Sequence, residues 1–156
     1  MKRCVIVAIV LIGRFAAGAE DDEKAWRKYT ESGFSYLRAA EDATDVRDRR
    51  DNIQRAASDL QTAVRIGKDK SAWRPLTLAA EGFVRLVSLS SGGDKDRYTD
   101  LVISTADSAV KIAKSKGERE GMRDAIRTLR RLSRLHGGQK QKQIEANIQS
   151  IERDME

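Results

Sequence analysis

AVRIGKDK at residues 63–70 returns as AVKIAKSK at residues 109–116, with five letters identical and Arg65 exchanged for Lys111. The same offset of 46 residues runs on without a gap, so that Ala79 meets Ala125, Arg85 meets Arg131, Leu86 meets Leu132, Leu89 meets Leu135 and Gly92 meets Gly138. Apolar character agrees more closely than identity. Leu76, Ala79, Ala80, Phe83, Leu86 and Leu89 correspond to Met122, Ala125, Ile126, Leu129, Leu132 and Leu135, and one step back gives Gly33, Phe34, Leu37, Ala40 and Ala43. The chain therefore reads as three copies of one unit, about 24–69, 70–115 and 116–156, the first and last degraded.

Each copy reads as two helices. Spacings of i, i+3, i+4, i+7 and onward put every apolar side chain of these sets on one helical face. The second helices carry the same period through Ile53, Ala57, Leu60 and Val64, then Tyr98, Val102, Ala106, Ala109 and Val110, then Ile144, Ile148, Ile151 and Met155. No alternating strand pattern occurs. The spacing predicts six helices near 21–43, 46–66, 72–91, 95–115, 118–136 and 140–155. Gly92-Gly93 and Gly137-Gly138 are expected to close helix C-termini in the left-handed conformation, with Gly67 and Gly117 in the links between copies. Pro75, the only proline, suits a first helical turn, where its missing N–H is no loss. A supersecondary unit repeated every 20–50 residues or so is the mark of a helical solenoid, whose hairpins bury their apolar faces by stacking. A compact bundle of duplicated hairpins is the other all-α arrangement that fits.

Trp73 and Leu76 in a first helix, with Ala56, Leu60 and Ala63 or Ala106, Val110 and Ala113 in a second, give the chain a resemblance to the tetratricopeptide superfamily of helical-hairpin repeats. It departs from that pattern in its 46-residue unit against about 34, in Thr77 where the family has Gly, and in lacking a Pro at the end of any copy. The resemblance implies tetratricopeptide-like hairpins that present a grooved surface to a protein or peptide.

The first residues read differently. Lys2 and Arg3 precede an apolar run from Cys4 to Gly13, and Ala17-Gly18-Ala19 supplies the small residues a signal peptidase accepts. Residues 1–19 are expected to be a signal peptide, leaving a single domain over 20–156 that is exported to the periplasm or the exterior. The run falls short of the ~20 apolar residues a membrane span needs, so no transmembrane segment is expected in the mature chain. Lys2, Arg3 and Arg14 would leave with the peptide and no acid would, which lowers the net charge from +6 to +3. The only cysteine, Cys4, would leave too. Stability must then come from a packed core rather than from disulfides.

No residues assemble into a catalytic, cofactor or metal-ligating pattern, and a non-enzymatic protein without a cofactor is expected. His136 is the only histidine, and its place beside Gly137-Gly138 assigns it to the C-terminus of the fifth helix as a cap. The carboxylates stand among basic residues, as in Glu41, Asp42 and Asp45 beside Arg47, Asp48, Arg49 and Arg50, a pattern typical of solvated helix faces. The glycine pairs lack a phosphate-loop frame.

One feature is not shared among the copies. Arg123, Arg127, Arg130 and Arg134 fall at i, i+4, i+7 and i+11 on one face of the fifth helix, opposite the apolar face and with Arg131 alongside. The equivalent positions are Thr77, Glu81, Val84 and Ser88 in the second copy and Glu31, Ser35, Arg38 and Asp42 in the first. Two functions follow as expectations. One is a scaffold for a protein or peptide partner, acidic if the stripe takes part. The other is a binder of an anionic polymer or membrane surface through those five arginines. Nucleic acid is disfavoured, because aromatic residues are not interleaved with the arginines.

Overall fold

The computed structural model describes residues 23–156 in full and the backbone alone over residues 4–22. The expected signal peptide, residues 1–19, lies outside the fully described residues. Six helices and no strand occur among the described residues: α1 Cys4–Asp42, α2 Val46–Asp69, α3 Trp73–Leu89, α4 Gly92–Ser115, α5 Arg119–Ser133 and α6 Gly138–Arg153. The fold is all-α, three helical hairpins in a row.

Burial follows the 46-residue register. Leu76 and Met122 are both buried, as are Phe83 and Leu129, and Leu86 and Leu132. Leu89 and Leu135, at the last equivalent position, are both half-buried. In the first copy Thr30, Leu37 and Ala40 take the corresponding buried places. Small residues set how closely the helices approach. A Cβ on Gly82 would lie 2.6 Å from Leu60 Cδ1, and one on Gly33 would lie 3.0 Å from Leu60 Cγ. Leu60 of α2 is thus a knob seated between α1 and α3.

The helices pair within hairpins (α1 on α2, α3 on α4, α5 on α6) and between consecutive hairpins (α2 on α3, α4 on α5, α1 on α3, α3 on α5). The first and third hairpins share no comparable pairing. Contacts confined to neighbours are the packing of a stacked helical repeat. The first helices α1, α3 and α5 touch one another along a row, whereas the second helices do not pair in this way. That row is the tighter side of the stack.

The turns between copies also repeat. After α4, Gly117 has φ 69°, its N–H bonds Lys114 O at 3.1 Å and the next N–H, from Glu118, bonds Ala113 O at 2.9 Å. This is the two-bond Schellman closure. Ser71, the residue 46 positions earlier, does the same after α2 at φ 48°, with Ser71 N–H on Lys68 O at 3.1 Å and Ala72 N–H on Gly67 O at 2.8 Å.

Three expectations about glycine and histidine are corrected. Gly67 is inside α2 rather than in a link; a Cβ there would meet Pro75 Cγ at 2.9 Å, so its lack of a side chain lets α3 approach. Gly92 and Gly138 are left-handed, at φ 56° and 60°, but they begin α4 and α6 instead of capping α3 and α5. His136 is not the cap of α5. Lys95 Nζ, reaching over from α4, donates to Leu135 O at 3.1 Å, while His136 Nε2 lies 2.9 Å from Thr99 Oγ1. Thr99 Oγ1 thus stands within hydrogen-bond distance of both His136 Nε2 and, at 2.8 Å, Lys95 O. Burial, then Lys95 and Lys140, hold the His136 pKa below the usual 6.5, against a weaker pull from Asp96. A neutral ring gains little from a helix dipole, and the lysine takes that role.

Candidate binding cleft

The first helices frame a cleft of about 470 Å³. α1 contributes Trp26, Arg27, Thr30, Glu31 and Phe34, α3 contributes Trp73, Arg74, Thr77 and Leu78, and α5 contributes Glu120 and Asp124. A second hollow of about 300 Å³ adjoins it, sharing Trp26, Trp73 and Arg74. Both tryptophans of the protein line both hollows.

The aromatic side chains are positioned by the repeat itself. Trp73, in the first turn of α3, is buried because Gly121 leaves it room: a Cβ on Gly121 would lie 2.7 Å from Trp73 Cδ2. Its indole N–H donates to the Glu118 carboxylate in the turn before α5, which ties the second hairpin to the third. Trp26 and Phe34 are only half-buried, and they give the cleft its accessible apolar surface together with Leu78. A guanidinium lies over each aromatic face: Arg27 at 5.5 Å from the Trp26 centroid, Arg74 at 5.4 Å from Trp73 and Arg85 at 5.9 Å from Phe34. Such cation–π contacts hold flat apolar faces in place.

Ion pairs brace the row of first helices. Arg85 reaches back from α3 to Glu41 of α1 at 3.0 Å, and its repeat equivalent Arg131 reaches back from α5 to Glu81 of α3 at 3.3 Å. Arg74 and Glu120, both largely exposed, stand 3.9 Å apart beside the cleft. Glu31 makes no ion pair among the described residues, so the rim offers a carboxylate beside apolar rings.

The arginine stripe lies elsewhere. Arg123, Arg127, Arg130, Arg131 and Arg134 are all exposed. Arg127 pairs with Asp124 at 3.2 Å and Arg130 with Glu152 at 2.6 Å, while Arg123 and Arg134 have no acid partner among the described residues. The equivalent α3 positions Thr77 and Val84 are buried, because that face of α3 turns toward α5. Among the described residues no helix covers that face of α5, so its arginines meet solvent. The stripe is therefore the polar end face of the described stack. Arg131 differs in pointing back toward α3.

From the sequence, Trp73 and Phe34 mark only the apolar face of the repeat, and Trp26 carries no assignment. A signal was present in the dipeptide Trp26-Arg27, which returns as Trp73-Arg74 at an offset of 47, one residue out of register and so invisible to a strict 46-residue comparison. Among the described residues no group of three or more His, Cys, Asp and Glu side chains could hold a metal ion, and no helix is long and apolar enough to cross a membrane. No protein-family model matches the chain, and no curated protein matches it.

Proposed function

We propose that this chain is an exported, non-enzymatic helical-repeat scaffold of tetratricopeptide-like kind, which holds a segment of a protein or peptide partner in the cleft between α1, α3 and α5. The observation that carries this reading is the placing of both tryptophans and Phe34 around one cleft on the row of first helices. Half-buried aromatic rings bring large contact area at low entropic cost, and such residues dominate binding energies at interfaces. The mixed charge at the rim suits a peptide, whose backbone and side chains need both donors and acceptors.

The unpaired Arg123 and Arg134 support a second reading, in which an anionic polymer or membrane surface meets the end face of the stack. One experiment separates the two. Peptides selected from a random displayed library against the full chain should bind weakly or not at all to a Trp26→Ala/Phe34→Ala variant. They should keep their affinity for a chain with Gln at Arg123, Arg127, Arg130 and Arg134, and should depend only mildly on salt. Selected peptides that bind the cleft variant as well as the wild type would overturn the cleft reading. Affinity lost in the Gln variant and falling steeply with salt would instead establish the end face as the binding surface.

A further inference from the structure

The gaps between second helices provide an internal comparison. Between α4 and α6, three polar links close the gap: Lys114 to Asp154 at 3.0 Å, Lys140 to Asp100 at 3.0 Å, and Asn147 Nδ2 donating to Asp107 Oδ1 at 3.0 Å. Between α2 and α4 none occurs among the described residues. The repeat register explains why. Asp100 and Lys140 correspond to Gln54 and Asp94, and Asp107 corresponds to Gln61, so the positions that form an acid–base pair in one gap cannot form it in the other.

What remains between α2 and α4 is a hollow of about 400 Å³ lined by Arg50, Gln54 and Gln61 from α2 and by Asp94, Arg97 and Tyr98 from α4, among others. Neither Arg50 nor Arg97 has an ion-pair partner among the described residues. Arg97 lies over the Tyr98 ring, 5.3 Å from its centroid, which limits where its guanidinium can go. Tyr98 is only 3 % exposed. Its hydroxyl has no hydrogen-bond partner among the described residues, yet it is not among the sealed, unsatisfied polar atoms. It therefore opens onto the hollow that the side chain lines. Burial raises the Tyr98 pKa, with Arg97 opposing and Asp94 reinforcing the rise. At neutral pH the hydroxyl is a proton donor.

We propose that this hollow binds the phosphate or carboxylate of a small polyhydroxylated molecule. The oxyanion sits between the Arg50 and Arg97 guanidiniums, which favour planar, charge-assisted contacts to such groups. The Tyr98 hydroxyl adds a neutral donor, and the Gln54 and Gln61 amides with the Asp94 carboxylate meet hydroxyls on the rest of the molecule. The volume fits a monosaccharide-sized ligand. Placement on the first two turns of α4 adds the positive end of that helix's dipole. The site is on the opposite row of helices from the cleft, and neither depends on the other.

The test is calorimetric titration of the full chain with glucose 6-phosphate, glucuronate and glucose. Saturable binding is expected for the two anions and not for glucose. Arg50→Gln/Arg97→Gln should abolish it, and Tyr98→Phe, which keeps the ring, should weaken it about tenfold. Gln at the exposed Arg47 and Arg49, an equal charge change on the same helix, should leave binding within about twofold, since neither side chain lines the hollow and an exposed charge that makes no direct contact adds little through water. The proposal is overturned if glucose binds as well as the anions, if neither anion binds saturably, if Tyr98→Phe binds like the wild type, or if the two double-arginine variants lose equal affinity.

Discussion

Leu60 holds the first two hairpins together, and a pair of substitutions tests that claim through a change of sign. In the wild-type protein Gly82→Ala has two opposed effects. Replacing a mid-helix glycine by alanine favours the folded state by about 0.5–1 kcal/mol. The new Cβ would, however, sit 2.6 and 2.8 Å from the two Leu60 methyls and 3.3 Å from Leu60 Cγ, and overpacking of this kind costs about 1–3 kcal/mol. The net outcome is destabilisation by about 0.5–2 kcal/mol. Leu60→Ala alone empties a fully buried site and should cost about 2–5 kcal/mol. Once Leu60 is alanine, the three nearest atoms to the new methyl are gone and every other lies at 3.3 Å or beyond. Gly82→Ala should then stabilise the protein by about 0.5–1 kcal/mol or somewhat more, because the methyl partly refills the cavity. The double-mutant coupling is about 1–3 kcal/mol. Urea unfolding of the four proteins, followed by far-ultraviolet circular dichroism, reads all sides of the cycle. If Gly82→Ala shifts stability in the same direction in both backgrounds, Leu60 does not occupy the space between α1 and α3, and the stacking of the first two hairpins is wrong.

Ser71→Gly should stabilise the protein by about 1 kcal/mol, since a non-glycine residue with φ 48° carries a steric cost of that order; a neutral or harmful effect in urea unfolding would refute the Schellman turn at this site. His136 has a folded pKa below 6.5, so the unfolded chain takes up its proton first, and stability should fall as pH drops through 6.5 toward the lower folded value, then level off. His136→Gln keeps a side chain that can hydrogen-bond Thr99 and should remove that part of the pH dependence of the urea midpoint, whereas parallel profiles for both proteins would mean that burial and the two lysines do not hold the folded His136 below its ordinary pKa. Gln at Arg123, Arg127, Arg130 and Arg134 together should change stability by no more than about 1 kcal/mol, because the stripe is exposed and its two ion pairs are surface pairs. A large fall in melting temperature would place those side chains against a packed element instead of at the end of the stack.

The number of helices, their near boundaries and the register of the core were all readable without coordinates, because burial in a stacked repeat acts on every copy alike and leaves the same period three times. Leu86 and Leu132 could be paired by counting, and both are fully buried. The equivalence of Ser71 and Gly117 was hidden by the change of residue, although both take the same left-handed turn. Features that depend on the relation between copies were not readable. A sequence can place four arginines on one face of α5, but only the stack shows that the same face of α3 receives α5, and hence why Thr77 and Val84 are buried where α5 carries exposed arginines. Trp26 and Phe34 share one cleft with Trp73 because α1 packs on α3, across separations of 47 and 39 residues that local periodicity does not encode. His136 finds Thr99 and Lys95 for the same reason: its partners belong to the hairpin before it, and a helix end read in isolation offers only its own carbonyls.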